Sequence, residues 1–141
     1  MGLKRKSTII FIALSFILAA ACYYYFGIYH FVRDVHVASD YIGLPTAESL
    51  FTHAELIVIG SPTKDFEERE VHVSKFSNEV IQDIYTLTDI RVETVIKGPE
   101  ADAANLKVVE PIGVYQTFGG KKRVAYEGYT EMKKGSQYLI F

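Results

Sequence analysis

The side chains able to do chemistry are few in this chain, and their spacing decides what they can do. Histidines stand at positions 30, 36, 53 and 72, with a single cysteine at 22. A zinc site needs Cys or His ligands at short regular spacings, and a metalloprotease needs His-Glu-x-x-His on one helix face. None of the histidines sits in such a pattern, and Cys22 has no second cysteine to pair with. Glu68, Glu70 and His72 alternate, as ligands on one strand face would, and a weak surface metal site is conceivable there. A solvated polar face explains the same spacing more simply. No Gly-x-Ser-x-Gly stretch supports a serine nucleophile. Gly119-Gly120 lacks the strand, helix and lysine of a phosphate loop and reads as a hairpin turn. No catalytic, metal or cofactor-binding residue is therefore assigned, and no cofactor is expected.

Two groups of residues suit recognition better than catalysis. Lys121-Lys122-Arg123 and Lys133-Lys134 flank turns, where they could touch anionic lipid head groups or wall polymers. Lysines exposed on hairpins need no ligand to explain them. Tyr115, Phe118, Tyr126 and Tyr129 could line a stacking groove and face a ligand. Core packing and cross-strand pairing are the competing account of these four rings. Charge narrows the partner. The whole chain carries −2, and the only three basic residues before position 30 are Lys4, Arg5 and Lys6. Residues 30–141 therefore hold 12 Lys and Arg against 17 Asp and Glu, a net of −5. Nucleic acid, which demands a positive surface, is excluded as an expected partner.

The N-terminal segment fixes the expected address. From Thr8 to Tyr29 no residue is charged, and 22 helical residues at about 1.5 Å each reach about 33 Å, enough for a hydrocarbon core of about 30 Å. The basic cluster before the span predicts a cytoplasmic tail at 1–7, an anchor at 8–29 and an extracytoplasmic remainder. Tyr23, Tyr24, Tyr25, Phe26 and Tyr29 then fall at the outer interface, where such rings are favoured. Leu18-Ala19-Ala20-Ala21-Cys22 also resembles a bacterial lipobox, which makes Cys22 a candidate lipidation site. The aromatic run directly after Cys22 departs from the polar tether of such lipoproteins. An uncleaved anchor, a lipoprotein and a cleaved signal all remain open, the first being preferred. All three put the remainder outside the cytoplasm.

About 110 residues then remain, which suits one domain and one core. Residues 30–44 read as a connector with some strand-like alternation. Pro45 and Thr46 open a short helix, with Thr46 as N-cap, Glu48 in the first turn and Leu50, Phe51 and Ala54 as the apolar face. "ELIVIGS" reads as a strand ended by Gly60 and Pro62, and "EVHVS" as an outer strand. The strongest signal runs over residues 84–97. Ile84, Thr86, Thr88, Ile90, Val92, Thr94 and Ile96 make an even, β-branched face, while Asp89, Arg91, Glu93 and Lys97 lie on the odd one. Unbroken parity predicts that the even set forms one largely buried face and the odd set a wetter one. "NLKVVEP", "GVYQTF", "RVAYEGY" and "SQYLIF" supply further short strands. The expected fold is mainly β, a small antiparallel barrel or sandwich with one short helix, after an N-terminal transmembrane helix.

"HAELIVIGSP", "YTLTDIRVETVIKG", "NLKVVEP", "GG" and "GSQYLIF" together resemble a class of bacterial exported domains. That class is similar in strand order to the OB-like barrel of tissue inhibitors of metalloproteinases and netrin modules. The resemblance covers about residues 47–141 and implies an OB-like barrel over 45–141. The inhibitors chelate zinc through a free N-terminal cysteine, whereas Cys22 lies in the apolar segment, so that chemistry does not carry over. The chain stops at Phe141 within a strand, so the barrel either closes with fewer strands or is incomplete. The expected role is a membrane-tethered, extracytoplasmic, non-enzymatic module for a peptide, protein or cell-wall partner. The alternatives are a structural subunit of a membrane complex, joined through the helix at Gly27 and Ala19-Ala20-Ala21, and a lipoprotein anchored at Cys22.

Overall fold

The computed structural model describes residues 2–38, 46–78, 80–126 and 128–141. Helix α1 spans Gly2–Tyr23 and runs directly into a π-helical stretch, Tyr24–Tyr29. The stretch from Lys6 to Tyr29 is long and apolar enough to cross a membrane, and none of it is buried against the rest of the protein. The wider π turn brings residues five apart together, and Tyr24 and Tyr29 lie with ring centroids 6.4 Å apart. Tyr25 stacks on Tyr29 at 5.9 Å. The turn to π geometry was not expected from composition; it falls where the aromatic run replaces the aliphatic one.

Eight strands follow. They are β1 (Val32–Val37), β2 (Ile57–Pro62), β3 (Glu70–Lys75), β4 (Ile81–Lys97), β5 (Lys107–Glu110), β6 (Ile112–Thr117), β7 (Gly120–Tyr126) and β8 (Tyr138–Ile140). The chain is mainly β, as expected. Two short helices accompany the strands rather than one: α2 (Ala47–His53) and α3 (Glu100–Ala103), with a 3-10 turn at Phe66–Glu68. Thr46 caps α2 as predicted, its hydroxyl accepting from Ser49 N at 3.1 Å. The predicted apolar face of α2 is not buried: Phe51 is 48% exposed. Lys97 instead reaches the end of that helix, donating to the carbonyls of Phe51 and Thr52 at 2.7 and 3.2 Å. A lysine there satisfies orphan carbonyls and complements the negative helix end. Pro45 and most of the second half of the predicted connector lie outside the described residues, while its first half forms β1.

The contacts divide the chain into two units: residues 1–34 with 115–123, and residues 35–114 with 124–141. The tip of the β6–β7 hairpin therefore belongs with the helix and not with the body of the strands that carry it. In this first unit the helix ends against the hairpin. Lys121 N donates to Phe31 O at 2.8 Å, and Gln116 Nε2 donates to Tyr29 O at 3.1 Å. The Tyr24 hydroxyl donates to Phe118 O at 2.9 Å. Carbonyls left over at a helix end need donors, and the hairpin supplies them. Gly120 makes the approach possible. Its φ is +106°, and a Cβ there would lie 2.5 Å from Phe31 O and 2.6 Å from Ile28 O.

The second unit is built on β4. Its first half pairs with β3 on one edge and β5 on the other, both antiparallel; its second half pairs with β2, which pairs in turn with β8. Asp89 O accepts from Thr63 N, at the end of β2, while Ile90 N donates to Leu106 O, at the start of β5. Adjacent residues of a strand direct these groups to opposite edges, so β3 and β2 follow one another along one edge of β4. The other sheet has the order β1-β7-β6. Both sheets are open among the described residues; no pairing closes β8 onto β5. The core of this unit is Ile57, Val58, Ile84, Ile90, Ala103, Ile112, Val124 and Ala125.

The even face of β4 is buried only in its first part. Ile84, Thr86, Thr88 and Ile90 are buried and Val92 is half-buried, but Thr94 and Ile96 are exposed. The register explains the correction. Gly60 faces Val92 and Ile59 faces Thr94, so Glu93 is an extra residue; Val58 faces Val95 and Ile57 faces Lys97, so Ile96 is another. Each bulge inserts one residue and reverses which face the following side chains take. Gly60 stands opposite the first bulge because nothing larger fits: a Cβ would meet Ile90 Cγ2 at 2.6 Å and Arg91 O at 2.9 Å.

Candidate functional site

The most concentrated chemistry in the second unit is a buried ion pair between two residues 41 positions apart, Arg69 and Glu110. Arg69 follows the 3-10 turn and leads into β3; Glu110 ends β5. Their side chains are 1% and 0% exposed. The guanidinium Nη1 donates to Glu110 Oε1 at 2.6 Å and to Thr88 Oγ1 at 3.4 Å. Nε and Nη2 donate to Lys64 O at 3.1 and 3.0 Å, and Nη2 also to Met132 O at 2.7 Å. These contacts use every donor that an arginine has. The Phe66 ring covers the group, its centroid 5.7 Å from Cζ.

Glu110 is satisfied as fully. Oε1 accepts from Arg69 and from the Thr88 hydroxyl, and Oε2 accepts from Tyr129 Oη at 3.0 Å and Met132 N at 2.7 Å. The cluster thus ties the loop at 64–69, the centre of β4, the end of β5 and the segment 129–132 to one point. A buried charge pair is worth its desolvation only when the remaining hydrogen-bond positions are filled, and here they are. Every polar atom in it faces another part of the protein, which leaves no group to offer a substrate. The arrangement holds the loop at 64–69 and the segment 129–132 against β4 and β5.

Tyr129 pays for its place in an altered acidity. Burial, then the facing Glu110 carboxylate, push its phenol well above the ordinary tyrosine value. A raised native value means that the stabilisation it gives is fully present below about pH 10 and is lost as pH rises from there through the native value. Ultraviolet titration of the wild type minus Tyr129→Phe should show no phenolate signal near pH 10. An ordinary titration at that pH would mean that the hydroxyl is not buried against Glu110.

The four aromatic residues proposed to face a ligand are divided between the two units. Tyr115 and Phe118 fall in the first and Tyr126 and Tyr129 in the second. Phe118, in the β6–β7 turn, is 93% exposed. Tyr126 donates to Asp83 Oδ1 at 3.4 Å, and Tyr129 is engaged with Glu110. Cys22 lies exposed near the end of α1. His72 Nε2 lies 3.1 Å from Glu70 Oε1, close enough for an ion pair but without hydrogen-bond alignment. Its ring stacks on Tyr85 at 5.1 Å. Glu68 is in the 3-10 turn and not on the strand with them. Among the described residues no three His, Cys, Asp or Glu gather where they could hold a metal ion. An apolar groove of the second unit runs between β5 and β8, lined by Leu56, Val58, Leu106, Val109, Ile140 and Phe141.

The buried pair was not foreseen from sequence. One signal was available: Glu110 interrupts an apolar run, between Val108-Val109 and Ile112, and a charge inside such a run must find a partner. Nothing local says that the partner is Arg69. Compared with protein-family models, curated proteins and solved structures, the chain matches none.

Proposed function

We propose that this chain is a membrane-tethered, extracytoplasmic binding module without enzymatic activity, carried on an uncleaved N-terminal helix. The observation that carries the reading is the unburied apolar stretch from Lys6 to Tyr29. A helix apolar on every side, touched by the hairpin only at its C-terminal end and buried nowhere along its length, needs lipid around it. Lys4, Arg5 and Lys6 before the span favour a cytoplasmic N-terminus. The exposed Phe118 and the apolar groove between β5 and β8 are surfaces that suit binding, and the partner is a peptide, a protein or a cell-wall component. An OB-like arrangement is supported by a long central strand with three register shifts, at Gln82, Glu93 and Ile96, and neighbours on both edges, since bulges are how sheets are bent towards closure. Cys22 is read as a small apolar residue in lipid and not as an acylated one.

Extraction and protection test this together. The protein should stay in the membrane pellet through alkaline carbonate, and protease added outside wall-stripped cells should degrade residues 30–141. Cys22→Ala should change neither retention nor mass. Release into the carbonate supernatant, or protection of 30–141 until lysis, would overturn the anchor or its direction. Loss of a lipid-sized mass in Cys22→Ala would make the protein a lipoprotein instead.

A further inference from the structure

Phe118 is the most exposed large apolar side chain of the described residues, and its surroundings say what covers it. We infer that the β6–β7 hairpin tip is a second membrane contact, which dips Phe118 into the outer lipid interface beside the transmembrane helix. The inference rests on the reading of Lys6–Tyr29 as a membrane span.

The depth of the tip is fixed by hydrogen bonds inside one unit. Phe118 O accepts from the hydroxyl of Tyr24, five residues before the end of the apolar stretch at Tyr29. The π turn rises less per residue than the about 1.5 Å of an α-helix, so that is less than about 7.5 Å back along the helix, and the side-chain length of Tyr24 takes up part of it. Gln116 and Lys121 hold the two arms of the hairpin to Tyr29 O and Phe31 O, and Gly120 lets the backbones touch. A tip pinned at three points to the last turns of a membrane helix shares that helix's depth.

The chemistry at this level suits an interface. Tyr23, Tyr25, Phe26 and Phe31 are all exposed around the helix end; tyrosine rings gather at the head-group boundary, and a phenylalanine at that level can bury its ring at the edge of the acyl chains. Phe118 adds a ring to the same belt from a different element. Lys121 and Lys122 begin the returning strand and are half-buried; a lysine stem lies along apolar surface while its head reaches the phosphates. The occupant is thus the bilayer that the helix already enters.

The chain contains no tryptophan, so Phe118→Trp in the full-length protein is a single reporter at an open position. It would be reconstituted in vesicles of phosphatidylcholine and phosphatidylglycerol, with bromines placed either near the head group or near the end of the acyl chain. Phe16→Trp, halfway along the span, serves as the companion. The expected result is blue-shifted emission from Phe118→Trp, several-fold stronger quenching by shallow than by deep bromines, and little quenching by aqueous iodide. Phe16→Trp should be quenched most by deep bromines. If Phe16→Trp behaves so while Phe118→Trp is quenched by iodide and ignores both bromines, the helix spans and the tip stands in water, which overturns the inference alone. If Phe16→Trp is not reached by deep bromines, the anchor reading falls and takes the inference with it.

Discussion

Glu110→Gln is expected to destabilise the protein by about 3–5 kcal/mol, the usual loss when one member of a buried charge pair is removed. The change is isosteric, so no cavity is created and sterics cannot be the cause. What changes is the hydrogen-bond inventory. All four groups around the carboxylate donate: Arg69 and Thr88 to Oε1, Tyr129 and Met132 N to Oε2. A glutamine must turn its NH2 towards one of these pairs. The Thr88 and Tyr129 hydroxyls can rotate to accept, but the guanidinium and the Met132 amide cannot. Either orientation leaves a donor facing a donor, and the Arg69 charge loses its counterion in both. Measured against a total stability of about 5–15 kcal/mol for a domain, the loss should be plain in chemical unfolding of the full chain in mild detergent. Amide exchange should quicken first at Met132, whose N–H loses its acceptor in one of the two orientations. A change below about 1 kcal/mol would mean that the cluster is open to water, where exposed ion pairs are worth that little.

How much of this could be read beforehand differs by element, and the reason is the distance along the chain over which each feature is decided. The cap at Thr46, the strand that stops at Pro62 and the burial of Ile84 to Ile90 are local, and spacing and turn residues settle them; Gly60, expected to help end that strand, lies inside it instead, opposite the bulge. The apolar stretch that ends at Tyr29 is local too, and its length was legible from the absence of charge. The π turn at Tyr24–Tyr29 was not, because it accompanies packing of those rings on one another and on the hairpin tip, which lies some 90 residues on in the sequence. The Arg69–Glu110 pair is a long-range choice that either residue alone does not announce. The assignment of residues 115–123 to the helix unit was invisible for the same reason: as a hairpin the segment is predictable, but its neighbour is decided by Gly120 and by donors that happen to meet the carbonyls of Tyr29 and Phe31.

The second large effect separates the sequence pattern from the structure directly. Ile90 and Ile96 are the same residue, six apart, on the same parity of one strand, and alternation alone would bury both. The structure leaves Ile90 6% exposed and Ile96 47% exposed. Between them lies the bulge at Glu93, and Ile96 is itself the extra residue of the next. Ile90→Lys should therefore bury an unpaired charge beside Gly60 and cost several kcal/mol, enough to unfold a domain of ordinary stability. Ile96→Lys should fall within about 0.5 kcal/mol, as surface substitutions do. Both variants keep the strand's backbone pairing and add the same charge, so propensity and net charge cancel in the comparison. Soluble yield and chemical unfolding of the full chain in detergent would read the difference. Equal damage at the two sites would restore an unbroken one-sided strand and remove the bulges. Tolerance at both would mean that β4 is not the centre of the core.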